Sequence, residues 1–308
     1  MAQFIITVLG ATGNIGTPLV HQLLQAGHRV RAVARPSARL NALQAAGAEP
    51  VAGDLHDQAL LTKALRGADA AFLMIPPNSQ AADVLGHYDQ IGEAIAQAAQ
   101  ASGLRRAVHL SSIGAELPAG TGPVVGVHRQ EARLNALSGS GGLTVAHLRP
   151  AYFMENLFAN LGLIQHMGIA GSAIRPDLPM PMVATRDIAA RAAELLQASN
   201  FANHSVHYLL GPRPYTMRDA AAALGRAIGR PKLPYVQFPY EDAQKGMRQA
   251  GLSENMAHLY DELTRNINAE GAMISAERTP DRTTPTTLDE FAETAFAPAF
   301  RAMSNAGQ

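Results

Sequence analysis

The sequence predicts an α/β fold: a doubly wound parallel sheet (Rossmann type) with a smaller α-rich C-terminal part. Three observations predict it. Short apolar runs alternate with amphipathic or alanine-rich stretches through roughly the first 150 residues, the pattern of parallel strands covered by helices on both faces. The first run, Phe4-Ile5-Ile6-Thr7-Val8-Leu9, breaks at once into Gly10-Ala11-Thr12-Gly13-Asn14-Ile15-Gly16. Beyond it the alternation gives way, over 157–182, to Gly, Met and Pro without a clear period.

Taken in order, the first helix should run from about Ile15 to Ala26, with Pro18 tolerated in its first turn and Gly27 as its stop. A second strand, His28–Ala34, ends at Arg35; a helix around Ala38–Ala46 and a strand at Glu49–Ala52 follow. After Gly53-Asp54-Leu55 come a helix at Gln58–Leu65 and a strand at Ala70–Ile75, closed by Pro76-Pro77. A long helix over Val84–Ser102 leads to the strand Ala107–Leu110 and Ser111-Ser112. A Gly/Pro loop precedes a helix from Val125 to Leu137, and Ser138–Gly142 leads to the strand Leu143–Leu148. Later, Thr185-Arg186-Asp187 opens a helix to about Gln197, and Ser205–Leu210 reads as one more strand. Thr287 and Glu290 have capping-box spacing before a last helix. The expected division is 1–156 plus 183–210 for the sheet domain, and 157–182 plus 211–308 for a smaller substrate domain.

The glycine turn is the most informative feature. Gly10 permits the tight turn, Gly13 lets backbone approach a phosphate, and Gly16 lets the helix pack close to the sheet. The helix then offers its N-terminal N–H groups and positive dipole end to an anion. Strand before, helix after and first position in the chain together point to a dinucleotide. The second strand selects which one. A site preferring NAD usually has Asp or Glu at that strand's end; here the strand ends Ala34-Arg35, with Ser37 and Arg39 behind. A guanidinium there can pair with a 2′-phosphate and stack on adenine, so NADP(H) is the expected cofactor.

Composition excludes other classes. Lys plus Arg and Asp plus Glu number 25 each, so no net field draws the chain to nucleic acid or an anionic membrane. There is no cysteine, hence no disulfide, thiolate metal site or thiol redox chemistry. The 11 histidines are scattered without metal-ligand spacing, so no metal site is expected. The N-terminal apolar run lacks a basic leader and is too short for a span or signal core. A cytoplasmic location is expected.

Further candidates lie at strand ends. Asp54, after the third strand, either reaches the adenine amino group or caps a turn. Leu55 continues that turn; Ile75 and Pro76 either line the cofactor groove or simply end the fourth strand. Ser111 and Ser112 end the fifth strand, where open α/β sheets bind ligands. Either hydroxyl could bond substrate or cofactor, but no paired base makes either a nucleophile. Pro150, Tyr152 and Phe153 follow the sixth strand: backbone there could hold a carboxamide, and the rings form either a pocket wall or packing between the two parts.

The combination of Gly10–Gly16, Ala34-Arg35, Gly53-Asp54-Leu55 and His109-Leu110-Ser111-Ser112-Ile113-Gly114 resembles the NmrA-like branch of atypical short-chain dehydrogenases/reductases. Leu148–Asn156, Thr185–Ala189, Leu210-Gly211-Pro212 and Gly229-Arg230-Pro231 extend the resemblance over nearly the whole chain. It implies a nucleotide-binding domain, a small substrate domain and a cleft between them. Some members are NADPH-dependent reductases of quinones, dyes or phenylpropanoids; others bind dinucleotide and report redox state to partner proteins. The Tyr-x-x-x-Lys pair of ordinary short-chain dehydrogenases is absent. Many members of this branch carry lysine three residues before a glutamate; here the glutamate is Glu131, and His128 stands in the lysine's place. An imidazole there could donate a proton or bond the nicotinamide ribose. The expectation is hydride transfer to a small apolar or aromatic acceptor, with His128, Ser112 and Tyr152 as catalytic candidates. A non-catalytic sensor with a regulatory protein partner is the rival, and a homodimer is compatible with either.

Overall fold

In a computed structural model, residues 3–138, 142–198, 204–271 and 276–306 are described; the glycines expected to turn before the sixth strand, at 139–141, lie outside them. Strand β1 (Ile5–Leu9) is buried from Ile6 onward, as a continuous apolar run demands. It is followed by α1 (Gly16–Gln25), β2 (Arg29–Ala34), α2 (Ala38–Ala45), β3 (Glu49–Ala52) and α3 (Gln58–Leu65). Then come β4 (Ala70–Leu73), α4 (Val84–Ser102), β5 (Arg106–Leu110), α5 (Val124–Asn135) and β6 (Thr144–Pro150). Side chains of Ser37, Asp57 and Asp83 accept backbone N–H groups at the starts of α2, α3 and α4, fixing where each helix begins.

The next stretch holds β7 (Tyr152–Phe153), a 3₁₀ segment at Met154–Asn160, α6 (Leu161–Met167), β8 (Ala170–Ser172) and β9 (Met180–Val183). α7 (Thr185–Gln197), β10 (Ser205–Leu209), β11 (Pro214–Tyr215), α8 (Met217–Ala227) and β12 (Tyr235–Gln237) come next. The chain ends in α9 (Tyr240–Gln249), α10 (Glu254–Asn268), α11 (Leu288–Phe291), a π segment at Ala292–Phe296 and α12 (Ala297–Ala306).

Seven strands form one parallel sheet in the order β10-β6-β5-β4-β1-β2-β3. The order reverses between β1 and β4, and an open sheet of this kind binds ligands in the crevice beyond that point. A three-stranded sheet, β11-β9-β7, and the pair β12-β8 lie outside it. These short strands were not legible, because two to four residues carry no countable period. The fourth strand stops at Leu73 rather than Ile75; the prolines at 76 and 77 have no N–H to continue a ladder. The sixth runs on to Pro150, whose carbonyl still accepts from Ile113 N at 3.0 Å.

Two later motifs act as anchors. Asp187, nearly buried, accepts from Thr286 N at 3.0 Å and from its hydroxyl at 2.6 Å. Glu155 accepts from Thr185 N at 3.0 Å and its hydroxyl at 2.6 Å. Burial raises the Glu155 pKa, and those bonds work against the rise. The Thr185-Arg186-Asp187 motif therefore ties the segment after β9 to the C-terminal loop.

Candidate active site

The glycine turn closes as a tight loop. Gly10 sits at φ +66°, and Gly13 N donates to Gly10 O at 3.0 Å. A Cβ on Gly16 would fall 2.8 Å from Ala11 Cα, so only glycine lets α1 start this close to the strand. The residue before α1, Ile15, contributes no side-chain cap. The first N–H groups of α1 therefore lack the side-chain acceptor that α2, α3 and α4 possess, the arrangement of an anion site.

A cleft of about 940 Å³ opens over this turn. Gly10, Thr12, Gly13, Asn14, Ile15 and Gly16 form its floor, and Arg35, Asp54, Leu55, Ile75 and Pro76 line one end. Ser111, Ser112 and Phe153 line it as well. Arg35 is exposed and, among the described residues, makes no hydrogen bond or ion pair; the Asp54 carboxylate is the charge that feels it. Arg39, beside it, donates to Thr12 O at 3.1 Å. Asp54 holds a turn, accepting from His56 N at 2.9 Å and contacting His56 Nδ1 at 2.5 Å. Those bonds lower the Asp54 pKa.

Three expected residues stand elsewhere. His128 does not line the cleft: its Nδ1 lies 2.8 Å from Ala115 O and so donates to that carbonyl, pinning the loop after β5. Pro150 is buried in the sheet with its carbonyl already bonded to Ile113. Tyr152 sits beside Phe153, outside the cleft lining, in the ladder with Met182. In each case a bond that local sequence does not reveal, at the His128 ring or along the backbone of Pro150 and Tyr152, sets where the residue stands.

Beneath Ser111 lies a network with no counterpart among the sequence expectations. The Ser111 hydroxyl donates to Glu131 Oε1 at 2.5 Å. Arg149 grips the same carboxylate through Nε at 2.9 Å and Nη2 at 2.6 Å, and reaches Glu116 at 3.1 Å and the Tyr208 hydroxyl at 3.0 Å. Glu131 and Arg149 are both buried, so each offsets the other's lost hydration. With its proton committed to Glu131, Ser111 Oγ presents lone pairs to the cleft and can accept from a ligand hydroxyl or amide. The signal was present as Glu131 and the Arg149 after strand six, but nothing in local spacing joins them.

Deeper in the sheet, His109 Nδ1 and His147 Nδ1 lie 3.1 Å apart, and His147 Nε2 donates to Asn135 Oδ1 at 2.9 Å. His147 thus carries its proton on Nε2, and His109 donates to it through Nδ1. Burial pushes both imidazoles toward the neutral form, His147 down to about 4. Other lining residues were missed for a plainer reason. Met74, Tyr88, Ile91 and Val127 line the cleft, yet in sequence they read as ordinary helix stripe or strand end. Among the described residues no group of acidic, histidine or cysteine side chains could hold a metal, and no helix is long and apolar enough to cross a membrane.

Relatives cover most of the chain. It is 29% identical over 267 residues to an NAD(P)H azoreductase of Xenophilus azovorans, covering 84% of this chain and 85% of that one. It is 34% identical over 226 residues to a (4-alkanoyl-5-oxo-2,5-dihydrofuran-3-yl)methyl phosphate reductase of Streptomyces griseus, with 73% and 74% covered. Among solved structures, an NADPH-dependent quinone oxidoreductase of Escherichia coli, complexed with NADPH, superposes with a TM-score of 0.78 at 23% identity, covering 94% of this chain and 99% of that one. The model of the NmrA-like family matches residues 3–292, and the chain belongs to that family.

Proposed function

We propose that this protein is an NADPH-dependent reductase that passes hydride to an apolar conjugated or aromatic acceptor of quinone, enone or dye type. The observation that carries the reading is a single cleft joining a glycine-lined, uncapped helix start to an apolar end at Tyr88, Val124, Val127 and Phe153. The residues present fit a phosphorylated dinucleotide: the space left by Gly16 and the backbone of the glycine turn ahead of an uncapped helix suit a pyrophosphate, and Arg35 suits a 2′-phosphate. NADPH held there supplies the hydride.

The chain's own residues bind and orient. The first turn of α1 holds the anion, Arg35 and Arg39 frame the ribose-phosphate end, and Ser111 accepts from a ligand donor because Glu131 fixes its rotor. In this reading residues 157–182 and 211–308 supply the substrate side. The reductase names of the Xenophilus, Streptomyces and Escherichia proteins support it. The test follows NADPH absorbance with purified protein and a panel of uncharged quinones, enones and dyes. Turnover with at least one class is expected. Tight NADPH binding with no oxidation by any of them overturns the reductase and leaves a dinucleotide sensor.

A further inference from the structure

Two histidines that no sequence motif singles out line the cleft together with Arg35 and Asp54: His56, in the loop after β3, and His87, early in α4. Strand pairing puts the loop there. Gly53 N donates to Ala34 O at 3.0 Å, so the chain after Gly53 starts beside Arg35. Helix α3 packs along α4, which brings the loop ahead of one against the start of the other. The two imidazoles meet edge to face with their centroids 5.3 Å apart.

Each ring is held by one nitrogen, and the holding fixes which nitrogen carries the proton. His56 Nδ1 lies 2.5 Å from Asp54 Oδ1, and the same oxygen accepts from His56 N at 2.9 Å. Those bonds keep the Asp54 carboxyl below its ordinary pKa, so its oxygen is an ionised acceptor and Nδ1 is the donor. His87 Nε2 lies 3.1 Å from Pro76 O, a carbonyl that can only accept, so in this ring Nε2 is the donor. The second nitrogen of a neutral imidazole is then a bare acceptor. Among the described residues His56 Nε2 and His87 Nδ1 make no hydrogen bond. Pro76 and Pro77 bring no N–H to this stretch of wall. Two touching rings therefore present two acceptors.

We propose that His56 and His87 form a receptor for the exocyclic amino group of the dinucleotide's purine, admitting adenine and rejecting a purine that carries a carbonyl in its place. This deepens the NADPH-dependent reading and rests on its cofactor half, not on hydride transfer. In that reading the glycine turn takes the pyrophosphate and Arg35 the 2′-phosphate, which leaves the base to the wall where both rings stand. An amino group brings two N–H donors to the two imidazole nitrogens. A carbonyl oxygen would set its lone pairs against theirs and leave every partner unpaired. Asp54 Oδ1, expected from sequence either to meet the base or to hold a turn, holds the turn and with it the His56 tautomer.

The test is isothermal titration of the whole protein with NADPH and with the reduced dinucleotide phosphate that has hypoxanthine for adenine. The two share every phosphate and the nicotinamide, so their affinity ratio isolates the base. The parent should hold NADPH at least about tenfold more tightly. His56→Phe and His87→Phe keep a flat ring without its acceptor; each should lower the ratio, and the double variant should bring it within about twofold of equality. A ratio taken within one variant does not change with the fraction of protein folded. His258→Phe, at an exposed position of α10 outside the cleft lining, should keep the parent ratio. Equal affinities in the parent overturn the receptor. So does a double variant that keeps the parent ratio, which would return the amino group to the Asp54 carboxylate. NADPH oxidation by an acceptor alongside equal affinities overturns the receptor while sustaining the reductase. The expected ratios without NADPH oxidation sustain the receptor and count against the reductase.

Discussion

Replacing Glu131 with glutamine removes a buried charge without changing shape, and it isolates what the Arg149 network contributes. Glu131 and Arg149 are 6% and 9% exposed, so the guanidinium left behind has little access to water. Breaking one partner of a buried pair typically costs about 3–5 kcal/mol. Glu116, whose side chain is 36% exposed, still reaches Arg149 at 3.1 Å, which places the loss near the low end, about 3 kcal/mol. With about 2.1 cal/mol/K per residue over 308 residues, the unfolding entropy is about 0.65 kcal/mol/K. The midpoint should therefore fall by roughly 5 °C. Thermal scans by circular dichroism measure it directly. The double variant Glu131→Gln with Arg149→Met removes both charges and should recover at least about half of the loss. A single variant within about 1 °C of the parent, or a double variant worse than both singles, would refute the account of the pair.

Arg35→Ala should weaken NADPH binding by about ten- to a hundredfold through loss of charged hydrogen bonds, and NADH binding by less than about twofold; equal losses in titration would remove the 2′-phosphate role. Gly16→Ala, with its Cβ 2.8 Å from Ala11 Cα, should push α1 from the sheet and cost at least about tenfold in NADPH affinity. Unchanged binding in that variant would show that the turn is not the anion site. The His109–His147 pair predicts an acid limb of stability. A folded-state pKa near 4 for His147, against 6.5 unfolded, means the unfolded chain binds protons first. Stability should be complete above about pH 6.5 and fall by roughly 3 kcal/mol as pH drops through about 4. Urea unfolding at a series of pH values measures the slope, and His147→Gln should flatten it; a parent curve that gains stability on acidification would contradict the sign.

Much of the fold could be read from residues alone, because its elements announce themselves locally. The helix expected over Val84–Ser102 is observed with those ends, since Asp83 caps one and Gly103, at φ +71°, stops the other. Strand Glu49–Ala52 and helix Thr185–Gln197 also match. β7, β8, β9, β11 and β12 escaped, because pairs such as Tyr235 with Ala170 are made by chain segments far apart. The same division runs through the site. The cleft floor at Gly10–Gly16 and its edge at Arg35 follow from local spacing. His128 stands outside the cleft lining with its Nδ1 bonded to Ala115 O, while Ser111, one of two equal serines in sequence, is singled out by Glu131.

The sequence by itself determined the strand-turn-helix opening, the alternation of strands and helices that follows it and the cation at the second strand's end. Each depends on contacts between residues a few positions apart, where backbone geometry is rigid and side-chain type decides the outcome. Only the tertiary structure decided which polar groups remain free to meet a ligand. Arg149 claims Glu131, and Glu131 claims the Ser111 proton. That distinction depends on which partners folding brings within hydrogen-bond reach, and no local pattern in the chain encodes it.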